Sequence, residues 1–291
     1  PLLETDKYLC RTFPDRIVRT AVAVGHQLRA VRVVIALKAS YRAEIAALRA
    51  AIDAQRAQVE LFQLDSFYPA GDEQTLVRLV IGRSVPERGL PLAVGCVVDN
   101  VGTILSIADA LEERPVTEKY LSVTGAVQTP CILHVPIGTS LRECIRAAIP
   151  ASDCYGVVLG GPMMGKPLLD TAAIDAAVVT KTTGNLLVLP EDHPLLIKSQ
   201  LSMQAIRLQA KSACIQCRMC TDLCPRYLLG HQIRPHLVMR NLWREALISE
   251  EDEFLTAFGD AANCCDCGVC EMFACPMNLS PRKANQYMKQ E

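Results

Sequence analysis

The chain carries the stretch CIQCRMCTDLCP at residues 214–225, in the last third of its 291 residues. Cys214, Cys217 and Cys220 are separated by two residues each, and Cys224 stands directly before a proline. This spacing is typical of a [4Fe–4S] site, because three thiolates in one short loop can reach three iron corners of the cube. The stretch therefore predicts a metal-organised domain at this end of the chain.

A second cysteine run, CCDCGVCEMFACP at residues 264–276, begins about forty residues after Cys224. Its last gap is one residue longer than that of the first run. In two-cluster ferredoxins the cysteine before proline ligates the cluster of the other run. That analogy predicts two crossed ligand sets: Cys214, Cys217, Cys220 and Cys275 for one cluster, and Cys264, Cys267, Cys270 and Cys224 for the other.

Two alternatives accompany this prediction. Zinc is one, but structural zinc sites usually combine two separated Cys-x2-Cys pairs, which three closely spaced cysteines followed by Cys-Pro do not resemble. The other concerns Cys265, which is left over. It is interpreted as an inert neighbour, because the register from Cys267 and Cys270 leads back to Cys264, with a role as alternative ligand left open. The pattern predicts a protein that moves single electrons.

Composition limits the remaining classes of function. The net charge of −1 provides no basic footprint for nucleic acid or for an anionic membrane surface. No charge-free apolar stretch reaches the roughly eighteen residues of a membrane-spanning helix, and no signal peptide is recognisable. Nine of the fourteen cysteines lie in the two runs, and the other five are scattered through apolar segments. Clusters together with free thiols indicate a reducing, cytoplasmic location.

The first third of the chain has the periodicity of an α/β layer. Helical spacing at 14–29 and 41–56 alternates with short apolar runs at 31–37 and 59–64, which predict buried parallel strands. A helix is expected from Glu73 to about Gly82, and a further strand at 95–99 followed by a helix. The two turns that open these helices suggest a ligand crevice, with plain helix capping by Asp72 and Asn100 as the alternative.

The middle and end of the chain predict two further units. Strands are expected at 119–128 and 131–136, followed by a helix with a capping-box pattern of Ser140 and Glu143. A hairpin is expected from 178–180 and 185–189 around Gly184. Beyond residue 190 the pattern is helical, at 195–210, 235–247, 251–258 and 280–289. These expectations divide the chain into domains at 1–114, 115–190 and 191–291.

Several motifs together resemble the PduS-type cobalamin reductases of propanediol-utilisation microcompartments. They are YPAGDE (68–73), VVDNVGT (97–103), GGPMMG (160–165), TKTTGNLLVLP (180–190) and the two cysteine runs. The longer gap before Cys275 resembles these reductases more than the related C subunit of the Rnf complex. The first half also looks like the NADH-binding flavoprotein subunit of respiratory complex I. The resemblance implies a Rossmann-like α/β layer, a small β-grasp unit of SLBB type and a helical two-[4Fe–4S] ferredoxin-like domain.

The resemblance also implies a chemistry. NADH reduces FMN, two [4Fe–4S] clusters carry single electrons onward, and cobalamin is the acceptor, beside an adenosyltransferase and a diol dehydratase in a bacterial microcompartment. Flavin is the usual converter between two-electron and one-electron chemistry. Carried over by motif, the flavin- and nicotinamide-side residues are Tyr68, Gly71, Asp72 and Glu73. Those of the turn expected to meet the FMN phosphate at a helix N-terminus are Asn100, Val101 and Thr103.

The chain also departs from the family pattern. In the family that the chain resembles, a glycine-rich loop and an Asn-x-x-Glu-Cys-Glu-Pro segment precede the position that matches Pro1, and a C-terminal region follows the clusters. The sequence of residues 1–291 contains none of these three segments. A fragment without the glycine loop is expected to hold FMN less firmly while keeping its clusters. Two other functions stay open: an electron-input subunit of an Rnf-like membrane complex, and a non-catalytic electron-transfer module that docks a redox partner.

Overall fold

The computed structural model describes residues 2–290, which form two compact units. One unit contains the residues up to Phe67 together with Val98–Ile197. The other contains Tyr68–Val97 together with the residues from Lys198 onward. The chain therefore leaves the first unit after Phe67, contributes thirty residues to the second, and returns. The predicted three-domain division remains a proposal beside this two-unit arrangement.

The α-helices of the described residues are α1 (Thr5–Thr12), α2 (Pro14–Gln27), α3 (Arg42–Gln55), α4 (Glu73–Ile81), α5 (Val101–Leu111), α6 (Leu141–Ala147), α7 (Thr171–Ala176), α8 (Pro194–Ser199), α9 (Met203–Ala213), α10 (Met219–Asp222), α11 (Pro225–Leu228), α12 (Pro235–Asn241), α13 (Glu251–Phe258) and α14 (Pro281–Gln290). The strands are β1 (Val34–Lys38), β2 (Glu60–Leu64), β3 (Glu118–Gly125), β4 (Cys131–Pro136), β5 (Tyr155–Leu159), β6 (Lys166–Leu168) and β7 (Asn185–Pro190). Short 3-10 helices occupy Pro91–Val94, Leu242–Leu247 and Gly259–Asn263, and Cys270–Ala274 forms a π-helical turn.

The first unit begins with the predicted α/β layer. β1, α3 and β2 form a β-α-β unit in which Val34 pairs with Glu60 and Lys38 with Leu64 in parallel register. Helices α1, α2, α3 and α5 cover this pair through a core that includes the fully buried Val18 and Leu48. The predicted alternation is confirmed, although most of β1 is only half-buried.

The predicted strand at 95–99 is wrong. Pro91–Val94 forms a 3-10 helix, and Gly95 ends it with a φ of 78°. A residue in the left-handed region is not itself extended, and residues 96–99 belong to no strand, so the chain passes through this region as an irregular segment. Val97 is 57% exposed, which is the opposite of what a buried strand requires.

A five-stranded mixed sheet forms the rest of the first unit, in the order β4-β3-β7-β5-β6. The pair β3–β7 is parallel and the other pairs are antiparallel, with α6 following the first two strands. This order is that of a β-grasp, so the predicted β-grasp unit is confirmed. Its buried core consists of Leu121, Val123, Leu141, Cys144, Ile145, Ala148, Val157, Ile174, Val179, Leu186 and Val188.

Two local expectations within this sheet fail. The predicted hairpin around Gly184 is wrong, because β7 pairs with β3 and β5 while Val178 bridges Ser140. The run Leu186–Leu189 is buried on both faces, and such a strand stabilises the fold best at the centre of a sheet. Ser140 precedes α6 as predicted, but its side chain makes no capping hydrogen bond.

The second unit is mainly helical. The predicted helix at 195–210 is two helices, α8 and α9, because the side chain of Ser202 accepts from Ala205 N and starts a new helix. The predicted helix at 235–247 is α12 followed by a 3-10 turn, whereas 251–258 is helical as predicted. The core is formed by Ile206, Ala210, Val238, Met239, Leu242, Ala257, Phe258, Ala261, Leu279, Ala284 and Met288. Among residues 2–290, no helix combines the length and apolar character that crossing a bilayer requires.

Residues 84–87 attach the inserted segment to this helical unit. Ser84 Oγ donates to the carbonyl of Leu229 at 3.1 Å, and the buried His231 ring lies 2.9 Å from the carbonyl oxygen of Val85. Glu87 accepts from the backbone of Gln232. The segment therefore belongs to the cysteine-rich unit, although it follows the α/β layer in sequence.

Candidate cysteine-lined sites and helix N-termini

The two cysteine runs line two cavities of the second unit. One cavity is lined by Cys214, Cys217, Cys220 and Cys275. The other is lined by Cys224, Cys264, Cys267 and Cys270, and also by Cys265. The cysteine before proline in each run therefore lies with the triplet of the other run. We call these spaces the first and second cavity.

The triplet loops share a backbone conformation. Gln216 and Asp266, each two residues after the first cysteine of its loop, have φ values of 54° and 59°. Arg218 and Gly268, each four residues after it, are also left-handed, at 66° and 81°. This repeat makes Cys264 the equivalent of Cys214. Cys265 then corresponds to Ile215, which is 61% exposed.

Nitrogen donors surround the cysteine sulfurs. Gln216 Nε2 donates to Cys214 Sγ at 3.1 Å, and the backbone N of Leu279 donates to Cys275 Sγ at 3.3 Å. In the second cavity the backbone N of Asp266 donates to Cys264 Sγ at 3.4 Å. Such donors favour the thiolate form of a cysteine, which is the form that binds iron.

Burial strongly affects the thiols. It raises the pKa of Cys220 to about 12 and that of Cys264 to about 11, and it raises the pKa of Cys270 well above its ordinary value. Neighbouring cysteines add to each of these shifts, because several thiolates cannot share a small space without a cation. Bound iron supplies that positive charge, so the donor set of each cavity fits a thiolate-bound cluster. Among residues 2–290, no three His, Cys, Asp or Glu side chains converge closely enough to hold a single metal ion.

Two ion pairs border the second cavity, and the sequence patterns did not point to them. Arg226 Nη1 and Nη2 donate to the two carboxylate oxygens of Asp72, at 2.6 and 2.9 Å. Arg282 donates to both carboxylate oxygens of Asp266, at 2.5 and 3.1 Å. The one sequence feature that could have indicated these ion pairs was closeness to the cysteines. Arg226 follows Cys224 by two residues, and Asp266 lies inside the second run.

The segment that carries Tyr68, Gly71, Asp72 and Glu73 belongs to the second unit. The Tyr68 hydroxyl donates to the carbonyl of Cys267 at 2.8 Å. Asp72 caps α4 by accepting from Thr75 N, in addition to its pair with Arg226. Gly71 and Glu73 are both exposed. Two of the four residues expected near flavin therefore contact the cysteine segments, and the carboxylate of Asp72 is fully engaged.

The residues Asn100, Val101 and Thr103 lie at the N-terminus of α5 in the first unit. The Asn100 side chain accepts from Gly102 N at 2.8 Å, and its amide donates to Asp6 Oδ2 at 2.8 Å. The capping alternative is therefore realised for Asn100. The first turn of α5 contains no acidic side chain of its own, and the Asp6 carboxylate lies beside its N-cap residue.

Comparison with known proteins gives two domain matches. Residues 1–109 match the family described as the Nuo51 FMN-binding domain. Residues 213–280 match the family described as a 4Fe-4S dicluster domain. The predicted cofactors, FMN and two [4Fe–4S] clusters, are those that these two families describe.

Curated relatives extend the similarity to the whole chain. It is 41% identical over 296 residues to cobalamin reductase PduS of Citrobacter freundii, and 41% identical over 293 residues to that of Salmonella typhimurium. The similarity to these reductases covers the whole of this chain. The predicted resemblance is confirmed, and the chain spans 62% of the length of either relative.

Two more distant matches complete the comparison. The C subunit of the ion-translocating oxidoreductase complex of Salmonella enteritidis is 30% identical over 237 residues, covering 80% of this chain and 31% of that protein. Among solved structures, an NAD+-reducing [NiFe]-hydrogenase in the air-oxidised state has a TM-score of 0.57 at 18% identity. The match covers 98% of this chain and 53% of the hydrogenase chain, and it shows a shared fold.

Proposed function

We propose that this chain is the electron-transferring part of a reductase that takes electrons from NADH through FMN and two [4Fe–4S] clusters to cobalamin. The observation that carries the proposal is the lining of the two cavities, each by the triplet of one run and the Cys-Pro cysteine of the other. The similarity to the PduS reductases supports cobalamin as the acceptor. When bound, FMN supplies the conversion of a two-electron donor into single-electron transfers.

The proposed ligands follow the crossed sets. Cys214, Cys217, Cys220 and Cys275 hold one cluster, and Cys224, Cys264, Cys267 and Cys270 hold the other. The shared backbone conformation of the two loops supports Cys264 over Cys265 as the first ligand of its triplet. Within each loop, the sulfur-directed N–H donors orient the thiolates. Hydrogen bonds to sulfur are one of the means by which a protein adjusts cluster potential.

The flavin contacts are proposed in two groups. Asn100, Val101 and Thr103 are assigned to the FMN phosphate, with the dipole of α5 favouring the negative charge. Tyr68, Gly71 and Glu73 are assigned to the flavin and nicotinamide side. Asp72 was expected there too, but its carboxylate is committed to Arg226 and Thr75, so we assign it a different role below.

The relatives also suggest a setting. PduS is named for propanediol utilisation, so we propose a cytoplasmic location inside a bacterial microcompartment. An adenosyltransferase that consumes the reduced cobalamin is the proposed partner, together with other microcompartment proteins. A protein acceptor, as in an Rnf-like complex, is the second candidate, because relatives among the C subunits of ion-translocating complexes match 80% of the chain.

The deciding experiment separates cluster chemistry from flavin binding. The chain with reconstituted clusters is reduced anaerobically with dithionite, excess reductant is removed by desalting, and hydroxocobalamin is added. We expect cob(II)alamin to form as the cluster absorbance returns, and a Cys217→Ser variant to form less. A parallel reaction with NADH and FMN tests the complete path.

Protein-free buffer carried through the same desalting step is the control. Reduced clusters that persist beside hydroxocobalamin, but are reoxidised by a small ferredoxin, would contradict the cobalamin proposal. That outcome would favour the Rnf-like candidate. Absence of iron from the reconstituted chain would instead refute the ligand assignment itself.

A further inference from the structure

The segment containing Tyr68 and Asp72 contacts both cysteine segments that line the second cavity. Tyr68 Oη donates to the carbonyl of Cys267, a residue 199 positions later. Asp72 binds Arg226, which follows Cys224 by two residues and is 154 positions away. Cys224 and Cys267 come from different runs. One short segment therefore holds two separate parts of the wall of the same cavity.

The contact between Asp72 and Arg226 is built as a fixed, buried pair. It is bidentate, and the side chains are only 16% and 8% exposed. Asp72 Oδ2 also accepts from the backbone N and the hydroxyl of Thr75, both at 3.0 Å. Helix α4 thus fixes the carboxylate, and the carboxylate fixes the guanidinium. Charged pairs held this way interact strongly with nearby charges, because little water screens them.

Arg226 follows Cys224 by two residues, and its guanidinium is held by Asp72 in the same short segment whose Tyr68 contacts the Cys267 backbone, so its positive charge lies beside the wall of the cavity. Adding an electron to a [4Fe–4S] cluster increases its negative charge. Local net charge, hydrogen bonds and solvent exposure are what set the reduction potential of such a cluster. A buried positive group beside the cavity favours the reduced state, and its carboxylate partner offsets part of that effect.

We propose that the Asp72–Arg226 pair sets the reduction potential of the cluster in the second cavity. Arg226 supplies the charge, Asp72 is the positioning residue for Arg226, and Tyr68 is the positioning residue for the Cys267 backbone. The inference rests on the proposed assignment of this cavity to a [4Fe–4S] cluster. It gives Asp72 a role through Arg226, and the expectation that Asp72 contacts flavin stays a prediction.

Two substitutions separate charge from packing. Asp72→Asn retains a capping side chain and removes the negative charge, so the midpoint potential of the second-cavity cluster should rise. Arg226→Gln removes the positive charge and leaves Asp72, so the potential should fall. Both variants break the same ion pair. A purely structural role would therefore shift both potentials in the same direction, or neither.

The measurement is an anaerobic redox titration of the reconstituted chain of residues 1–291, followed by EPR, with iron content determined for each variant. A Cys217→Ser background isolates the signal of the second-cavity cluster. Arg226→Lys, which keeps the charge, should titrate close to the unsubstituted chain. Glu253→Gln is the matched control, because it breaks an exposed pair with Arg244 in the same unit and should shift nothing.

Opposite shifts in Asp72→Asn and Arg226→Gln support the inference. Unchanged potentials, or shifts of the same sign, at full iron content overturn it. If Arg226→Gln does not bind iron, Asp72→Asn alone is conclusive, since a rise supports the inference and any other result overturns it. Failure of the underlying assignment has a different signature, in which Cys267→Ser loses no iron relative to the unsubstituted chain.

Discussion

At the scale of single residues, the clearest chemical question is whether Cys264 or Cys265 is the first ligand of its triplet. Adjacent cysteines cannot both occupy the first position of a triplet. The left-handed residues at equivalent places in the two loops make Cys264 the counterpart of Cys214. Cys265 nevertheless lines the same cavity, which gives a fifth thiol beside the four proposed ligands.

Substituting each of these neighbours tests the register. Cys264→Ser should lower the iron content from about eight to about four atoms per chain, because a serine oxygen is a poor replacement for an iron-bound thiolate. Cys265→Ser should retain about eight atoms and both EPR signals. Iron analysis after anaerobic reconstitution measures this. The reverse pattern, with iron lost from Cys265→Ser, would move the register by one residue.

At the scale of secondary-structure elements, β7 explains why the β-grasp forms around the motif at 180–190. Asn185, at the start of this strand, is fully buried. Its side chain accepts from Ser122 Oγ at 2.6 Å and donates to the carbonyl of Gly160 at 2.8 Å. The amide thereby satisfies polar groups on both sides of the central strand, which an apolar residue of similar size would leave unpaired.

The end of β3 offers a test of sheet packing. Gly125 has a φ of 96°, and a Cβ there would collide with the carbonyl oxygen of Val188 in β7. Gly138 has a similar φ of 97° but faces open space. Gly138→Ala should cost about 1–2 kcal/mol of unfolding free energy from left-handed strain alone. Gly125→Ala should cost a further ~1–3 kcal/mol from overpacking.

Urea denaturation followed by circular dichroism measures both glycine variants. Equal destabilisation of the two would show that β3 and β7 separate enough to absorb the methyl group. That result would contradict the tight approach of these strands at Gly125.

Helix capping gives a second test at this scale. Ser202 accepts from Ala205 N at 3.2 Å at the start of α9, whereas Ser140 makes no capping bond at the start of α6. Ser202→Ala should therefore destabilise its unit by about 1 kcal/mol, and Ser140→Ala should have little effect. Thermal unfolding of the two variants provides the comparison. A larger loss for Ser140→Ala would restore the capping-box interpretation that the sequence suggested.

At the scale of the whole molecule, the chain is divided into two compact units that are not continuous in sequence. The first unit has one buried core in the α/β layer and another in the β-grasp, and the second unit has a buried core among its helices. Both cysteine-lined cavities belong to the second unit. The stabilisation that the clusters provide is therefore expected to be confined to that unit.

Cluster removal tests this confinement. Binding to a folded site adds to the stability of the elements that form it. Reconstituted chain should show slower amide hydrogen exchange than cluster-free chain at residues 68–97 and 198–290. Exchange in strands β1 to β7 should be unchanged. Mass-spectrometric exchange on matched samples resolves the two regions, and protection spread evenly over both units would contradict the prediction.

The spacing of the cysteines was enough to predict the clusters, because cluster ligands lie within short loops and leave a local pattern. The α/β alternation and the central run 185–190 were equally visible, since each depends on side chains a few residues apart. The errors occurred where long-range packing overrode a local signal. The run 185–190 suggested a hairpin, but Asn185 to Leu189 are all buried, and the run is the central strand of a sheet.

The cluster ligands of this protein could be predicted from local sequence spacing, whereas the side chains that contact the cysteine segments could not. Asp72 and Arg226 lie 154 residues apart, and Tyr68 and Cys267 lie 199 residues apart. Such pairs have no characteristic spacing in sequence. The motif at 68–73 was therefore interpreted as flavin-side and the two cysteine runs as cluster-binding, with no link between them. The fold brings them together because the segment 68–97 belongs to the same compact unit as the residues from Lys198 onward, which carry both cysteine runs. Because the Asp72–Arg226 pair is buried, little water screens its charges from the second cavity.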